Sequence, residues 1–226
     1  MSIKYYSDEP TYHVAVDCII FGYDECKLQV LFQHRNIEPY NGELTPLGGF
    51  VQENETLDQA AYRVLTERTG IWDLYLEQLE AFGDIGRDPG GRVISVAYFA
   101  LLNKNKYDSA LLRKYSCQWI DIEKMPTLYF DHMKMLKKAI HRLQDKIGFT
   151  PIALNLLPQE FTLSQLQKVY ETILSEPLDK RNFRKKVNDM PYFVKTEKRD
   201  KTTSKRGATL YKFDNKLYHE IKNFHL

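Results

Sequence analysis

The chain has 226 residues, of which 43% are hydrophobic and 27% charged, an ordinary balance for a globular protein. This composition excludes a mostly disordered or collagen-like chain, and three scattered cysteines exclude a small disulfide-stabilised protein. The net charge is +2, but residues 1–150 carry a net charge of −4 and residues 151–226 a net charge of +6. We therefore expect two domains with different partners, the basic one facing a polyanion.

The first 150 residues predict a mixed α/β domain. Two β-rich segments at 14–21 and 27–34 flank a polar turn and predict a β-hairpin. Apolar residues at helical spacing predict a helix over 57–69, with Thr56 as N-cap and Gly70 just beyond its end. Further strands are expected at 74–84, at 92–102 and around Trp119 and Ile120, and a further helix at 132–143.

The last 75 residues predict a winged helix-turn-helix. An amphipathic helix is expected over 163–174, followed by a turn and a short basic helix over 179–189 with Asp179 as N-cap. Two strands at 192–198 and 208–213 then surround a polar hairpin tip. Helix, turn, basic helix and hairpin in this order are typical of winged DNA-binding domains.

Residues 49–71, GFVQENETLDQAAYRVLTERTGI, resemble the Nudix box, G-x5-E-x7-R-E-U-x-E-E-x-G-U, in which U is a bulky aliphatic residue. In a working box, carboxylates at i, i+3 and i+4 of one helical face hold magnesium. Val64 and Arg68 occupy the first and last of these positions, which leaves Glu67 on the helix and Glu55 on the preceding loop. We therefore predict a retained scaffold with no catalytic residues, no metal and no cofactor. Seven residues match the box: Gly49, Glu55, Arg63, Leu65, Glu67, Gly70 and Ile71.

Other segments resemble the NrtR-type family of Nudix-related transcriptional regulators. The stretch RDPGGRVISVAY at 87–98 and the sequence YFDH at 129–132 are similar to motifs of that family, and so are Leu157-Pro158 and the sequence DKRNFRK at 179–185. The resemblance covers nearly the whole chain. It implies a Nudix-like α/β/α sandwich over residues 1–150, followed by a winged helix-turn-helix domain over residues 151–226.

The resemblance also implies a function. Members of this family use the Nudix-like domain as a ligand sensor and the winged helix to bind operators, usually as homodimers. Among them, the L-arabinose-responsive repressors resemble this chain most. They imply a repressor of sugar utilisation that binds L-arabinose and a palindromic operator. Two alternatives stay open: a metal-independent sensor of ADP-ribose or a related nucleotide, and an active Nudix hydrolase with an appended basic domain.

A basic cluster over 180–206 is the predicted DNA-binding site. It holds eleven basic and three acidic residues, with side chains suited to base edges on the helix and to phosphates at the hairpin tip. The alternative is a solvated charged face, and Phe183 and Val187 are expected to anchor the helix to the core. The predicted contacts are Lys180, Arg181, Asn182, Arg184, Lys185, Lys186, Lys201, Thr202, Thr203, Ser204, Lys205 and Arg206.

The effector site is expected between the sheet and the box helix, near Gly48 and Gly49. Asp17 is the most informative candidate, because a carboxylate inside an apolar strand is costly without partners. Its alternative role is to bond a neighbouring loop. Ser95 is the weakest candidate, because a regular strand would point it away from Arg92 and Tyr98. The predicted ligand-binding residues are Asp17, Thr45, Leu47, Gly48, Gly49, Glu55, Glu67, Arg92, Ser95 and Tyr98.

Nothing in the sequence predicts a membrane protein. The apolar runs are strand-length and fall short of the roughly 20 residues that a membrane helix needs. The first 14 residues lack the apolar run of a signal peptide. We therefore expect a cytoplasmic protein.

Overall fold

A computed structural model of the protein describes residues 8–24, 26–72, 74–107, 109–202 and 207–226. Within these residues, the first part of the chain contains seven strands and three α-helices. In chain order these are β1 (His13–Asp24), β2 (Lys27–His34), β3 (Leu44–Thr45), β4 (Leu47–Phe50), α1 (Leu57–Thr69), β5 (Tyr75–Phe82), β6 (Val93–Leu102), α2 (Ser109–Lys114), β7 (Cys117–Asp121) and α3 (His132–Ile147).

The second part begins with a 3-10 segment and contains three strands and three helices. After the 3-10 segment (Pro151–Leu156) come β8 (Glu160–Thr162), α4 (Leu163–Leu174), α5 (Lys180–Asp189), β9 (Phe193–Asp200), β10 (Ala208–Phe213) and α6 (Asn215–Ile221). The predicted boundary at residue 150 lies between α3 and the 3-10 segment.

The first seven strands form one mixed sheet in the order β3-β2-β1-β6-β5, with β4 paired to β1 and β7 paired to β2. β1 runs antiparallel to β2 and β4 but parallel to β6. The parallel pairing of β1 and β6 joins strands about 80 residues apart and brings the loop before β6 to the start of β1.

The two faces of the sheet are covered by different helices, which gives the predicted α/β/α sandwich. Alternate residues of β1 and β6, such as Cys18 and Tyr98, pack with α1. The residues between them, such as Ile19 and Phe99, pack with α3. A thin apolar layer on each side therefore separates the sheet from its helices.

The second part forms a three-stranded antiparallel sheet in the order β8-β10-β9, against which α4 and α5 pack. Its apolar core is continuous with the α3 side of the first sheet, since Phe99, Leu143, Tyr170 and Phe183 belong to one buried cluster. Gln144 Nε2 on α3 also donates a 2.8 Å hydrogen bond to the carbonyl of Ile173 on α4.

Local sequence signals located several elements correctly. Helix α1 spans the predicted residues, with a capping box at Thr56 and Gly70 in the left-handed conformation at its end. Asp179 caps α5 as predicted, since its side chain accepts from the backbone N–H of Asn182. Five short elements had not been predicted, because each has at most seven residues and depends on tertiary pairing or packing: α2, β3, β4, β8 and α6.

Candidate functional site

A cavity of about 200 Å³ lies beside the Gly48–Gly49 strand, where the start of α3 and the last turn of α1 approach the sheet. We call it the Asp17 cavity. Its walls combine charged, amide and hydroxyl groups with a few apolar side chains. The lining residues are Ala15, Asp17, Gln33, Arg35, Asn36, Ile37, Thr45, Pro46, Gly48, Gly49, Phe50, Arg68, Arg87, Asp88, Val93, Phe130 and His132.

The carboxylate of Asp17 is surrounded by polar partners, which explains its place in an apolar strand. The Ser95 hydroxyl donates to Asp17 Oδ2 at 2.5 Å. Nη2 of Arg87 lies 3.8 Å from the same oxygen, and Nε2 of His132 lies 3.7 Å from Oδ1. Since Asp17 is only 8% exposed, these partners offset much of the cost of burying its charge.

Arg87 is itself fixed by Asp131, the residue that precedes α3. Its Nε and Nη2 atoms donate to the two carboxylate oxygens of Asp131 at 2.9 and 2.6 Å. The Asp131 side chain therefore makes no capping hydrogen bond to the helix. This bidentate pair joins the loop before β6 to the start of α3.

His132 is buried as a neutral ring between this pair and β3. Burial lowers the pKa of His132, and the nearby carboxylates of Asp17 and Asp131 oppose that effect only in part. Its Nδ1 lies 3.5 Å from the Thr45 hydroxyl. A neutral imidazole can donate or accept a hydrogen bond, so His132 adds a polar group to the cavity without adding a full charge.

Two glycines of β4 permit this arrangement. Gly48 pairs with Asp17 in the β1–β4 register, and a Cβ on it would lie 2.4 Å from Asp17 Oδ1. A Cβ on Gly49 would lie 2.8 Å from the Val64 side chain. Side chains at these positions would displace either the buried carboxylate or the box helix.

The acidic residues of the Nudix box are held by Arg63. The Nε and Nη2 atoms of Arg63 donate to the Glu55 carboxylate at 2.8 and 2.6 Å. Its Nη1 donates to Glu67 at 3.2 Å, and its Nη2 also donates to the carbonyl of Phe50 at 3.0 Å. The Arg63 hydrogen bonds lower the pKa of Glu55 to about 2. Arg63 therefore joins the loop before α1 to the helix.

Two of the three helical positions that hold a divalent ion in a working box carry no carboxylate in this chain. Val64 stands at one metal position and is buried in the core, and the cation Arg68 stands at another. Within the part of the chain that the structure describes, no three histidine, cysteine or acidic side chains converge in one place.

The structure separates the ten predicted ligand residues. Asp17, Thr45, Gly48 and Gly49 line the cavity, and Ser95 lies behind Asp17 on the α3 side of the sheet. Five of the predicted residues do not line this cavity, and their contact with a ligand stays a prediction: Leu47, Glu55, Glu67, Arg92 and Tyr98.

Each of the five makes other contacts within the fold. Leu47 is buried in the core on the α1 side, and Glu55 and Glu67 are bound by Arg63. The remaining two make local contacts: Arg92 donates to the carbonyls of Gly83 and Asp84 at 2.7 and 3.2 Å, and Tyr98 donates to Asp58 on α1 at 2.6 Å.

Several lining residues had not been predicted as ligand contacts. Four of them lie in the two segments that resemble motifs of the family, at 87–98 and 129–132: Arg87, Asp88, Phe130 and His132. The charges and the short YFDH sequence in these segments were too weak a signal to select individual residues as ligand contacts. Gln33 is only 8% exposed and follows the apolar run at 30–32, and that position was the available signal for it.

The predicted DNA-binding helix presents its polar residues outward. Lys180, Arg181, Asn182, Arg184, Lys185 and Lys186 are exposed on α5, whereas Phe183 and Val187 are buried as expected. Lys201 and Thr202 are exposed after β9, and Thr202 is tied to Asp200 by two hydrogen bonds of 2.8 and 2.6 Å. Thr203, Ser204, Lys205 and Arg206 lie outside the described residues.

The fold is thus a Nudix domain joined to a winged helix domain. Family models agree: the NUDIX domain matches residues 11–142, and the NrtR DNA-binding winged helix domain matches residues 153–213. The chain belongs to the NrtR-type family of Nudix-fused, DNA-binding transcriptional regulators. This confirms the predicted fold class.

Individual relatives cover most of the chain. This chain is similar to the ADPR responsive transcriptional repressor NtrR of Acinetobacter baylyi, with 36% identity over 211 residues. The similarity covers 92% of this chain and 84% of that relative. The crystal structure of Shewanella oneidensis NrtR complexed with a 27mer DNA has 29% identity and a TM-score of 0.82, over 91% of this chain and 95% of that one.

A third similarity concerns the first domain alone. The NUDIX domain of Shewanella oneidensis NrtR complexed with ADP ribose has 30% identity and a TM-score of 0.51, over 60% of this chain and 90% of that one. These relatives do not support the expected likeness to L-arabinose-responsive members.

Among the described residues, we find no helix that is long and apolar enough to cross a membrane.

Proposed function

We propose that this protein is a transcriptional repressor that binds operator DNA through its winged helix and senses ADP-ribose, or a closely related nucleotide, through its Nudix domain. The observation that carries the proposal is the Asp17 cavity, which combines buried polar groups with arginines in a Nudix fold. The named ligands of the Acinetobacter and Shewanella relatives support this nucleotide alternative over a sugar effector.

The cavity has groups for each part of such a ligand. Asp17 and Thr45 offer hydrogen-bond partners to ribose hydroxyls, Phe130 and Phe50 offer apolar surfaces, and Arg35 and Arg68 offer cations to phosphates. Gly48 and Gly49 present backbone beside the same space. A cavity of about 200 Å³ is smaller than the roughly 300–1,000 Å³ of typical ligand sites, so we place one ribose inside and the remainder at the mouth.

L-Arabinose is the second candidate, and the small cavity favours it. A free pentose needs only hydroxyl partners and a compact space, and Asp17, Thr45 and His132 surround such a space. The two candidates share pentose recognition and differ in the diphosphate and the base. An effector from sugar utilisation would make the repressor part of carbohydrate metabolism.

We propose further that the protein is not an enzyme. The support is local: Val64 is buried, Arg68 replaces an acidic residue, and Glu55 and Glu67 are bound by Arg63. An active Nudix hydrolase would need carboxylates free to hold a divalent ion. Magnesium-dependent hydrolysis of ADP-ribose at roughly 1 per second or faster would contradict this proposal.

We assign the DNA interface to the basic residues of α5 and of the hairpin tip that follows β9. A homodimer on a palindromic site is part of the proposal, because one winged helix reads only a half-site. Analytical ultracentrifugation with and without operator DNA tests it, and a monomer in both conditions would contradict it.

The deciding experiment is a thermal-shift screen of the full-length protein against ADP-ribose, ADP, adenosine and L-arabinose. A ligand that binds only the folded state raises the melting temperature by mass action. A shift with ADP-ribose but not L-arabinose supports the main proposal, and the reverse supports the second candidate. A gel-shift assay with the positive ligand then shows whether operator binding changes.

A further inference from the structure

Arg68 occupies the position of a metal-binding carboxylate in the Nudix box, yet it still faces the ligand cavity. It lies in the last turn of α1, is half-buried and lines the Asp17 cavity. Among the residues that the structure describes, no carboxylate lies within ion-pair distance of its guanidinium. Its neighbour Glu67 is engaged by Arg63 and does not neutralise it.

A second cation faces the same cavity. The Nε of Arg35 donates to the carbonyl of Pro39 at 2.6 Å, and its guanidinium lies 5.1 Å from the centre of the Phe130 ring. Arg35 also has no carboxylate at ion-pair distance within the described ranges. Arg87, the third arginine of the cavity, is by contrast neutralised by its bidentate pair with Asp131.

Two uncompensated guanidinium groups at one small cavity predict an anionic ligand. Both residues are half-buried, so each guanidinium charge is partly removed from water and its attraction for an anion in the cavity is strengthened. A guanidinium also offers paired N–H donors that match two oxygens of a phosphate. In a working Nudix site, a divalent ion held by carboxylates provides this positive charge.

We infer that Arg68, assisted by Arg35, binds the diphosphate of the ligand directly and thereby replaces the metal ion of the Nudix box. The inference rests on the proposed nucleotide-sensing function and specifies its chemistry. Ligand binding is then independent of divalent metal. The preference for a diphosphate over a neutral sugar depends on Arg68, the residue that stands in place of a metal-binding carboxylate.

The experiment is calorimetric titration of the full-length protein with ADP-ribose, inorganic pyrophosphate and adenosine, in EDTA and in magnesium chloride. We expect ADP-ribose and pyrophosphate to bind in EDTA with a Kd within about twofold of the value in magnesium. Arg68→Gln should raise both values of Kd at least roughly tenfold, the loss expected for one charged hydrogen-bond pair. Arg68→Lys, which keeps the charge, should lose less.

Arg142→Gln is the matched control, because Arg142 lies on α3, pairs with Glu77 at 3.5 Å and does not line the cavity. It should leave all affinities unchanged, and the melting temperature of each unliganded variant checks its folding. Pyrophosphate binding that depends on Arg68 without any ADP-ribose binding would support the anion site and overturn the proposed function. Binding that requires magnesium, or that is unchanged in Arg68→Gln, would overturn the inference itself, as would wild-type protein that binds neither anion.

Discussion

Ser95 on β6 donates a 2.5 Å hydrogen bond to the Asp17 carboxylate on β1, across the parallel pairing of the two strands. This contact holds one carboxylate oxygen of Asp17 in place, and Asp17 also lines the cavity. The buried Asp17 is thus oriented before a ligand arrives, and a preorganised acceptor reduces the entropic cost of binding.

Asp17→Asn should abolish ligand binding with a modest loss of stability. The amide can still accept from Ser95 but removes the charge, so we expect the free energy of unfolding to fall by about 1 kcal/mol. Ser95→Ala should lower stability by about 1–3 kcal/mol, since it removes a hydrogen bond to a buried charge, but should keep a thermal shift with ligand. Urea denaturation and thermal shift measure the two effects. A full ligand shift in Asp17→Asn would move the binding site elsewhere.

Gly48→Ala should destabilise the protein by about 1–3 kcal/mol, the usual cost of adding volume to a packed interior. The added Cβ would lie 2.4 Å from Asp17 Oδ1 and 3.2 Å from the carbonyl oxygen of Val16, which belongs to the backbone. Gly83→Ala is the control, because the nearest atom to its Cβ would be 3.9 Å away. Equal melting temperatures for the two variants would show that β4 moves aside freely.

Acid should destabilise the protein through His132. Burial lowers the pKa of His132 in the folded state, so the unfolded chain binds the proton more tightly. The free energy of unfolding should therefore fall as pH drops below about 6.5, with a contribution of at most about 1.4 kcal/mol per pH unit.

The measurement is chemical denaturation of the wild type and of His132→Gln at pH 7, 6 and 5. The difference in slope between the two isolates the histidine from the carboxylates that titrate lower. His141→Gln, whose side chain is 76% exposed on α3, should retain the wild-type slope. A wild-type slope in His132→Gln as well would assign the acid sensitivity to another group.

Arg184→Ala should weaken operator binding by about 1–3 kcal/mol and non-specific binding by less, if this exposed side chain reads a base. Gel shift or anisotropy at several salt concentrations separates the two effects, since phosphate contacts dominate the salt dependence. Lys137→Ala, exposed on α3, is the control and should leave DNA binding unchanged. Equal losses on operator and random DNA would reassign Arg184 to phosphate contact.

Sequence patterns predicted the helix caps and the strand alternation, which depend on residues that are close together in the chain. The caps of α1 and α5 and the alternation along β6 were correct, because each depends on residues a few positions apart. The alternation also separated Ser95 from Tyr98 correctly.

The site itself could not be assembled in this way. The expectation ranked Arg92 and Tyr98 above Ser95, yet Asp17 shares the face of Ser95, and only the parallel pairing of β1 with β6 determines that. Arg87 and His132 approach Asp17 from positions 70 and 115 residues away. Such contacts depend on the folded topology and leave no periodic signal in the sequence.

The shared core that runs from β6 through α3 to Phe183 on α5 has a consequence for cooperativity. Neither half can lose its packing without exposing apolar surface of the other, so the Nudix and winged helix domains should unfold in a single transition. Binding energy gained at the Asp17 cavity then also stabilises α5, the helix that we propose contacts DNA, against global unfolding, although α5 does not line the cavity. The α5 amides that exchange only through global unfolding should therefore exchange more slowly when a ligand is bound at the far end of α3.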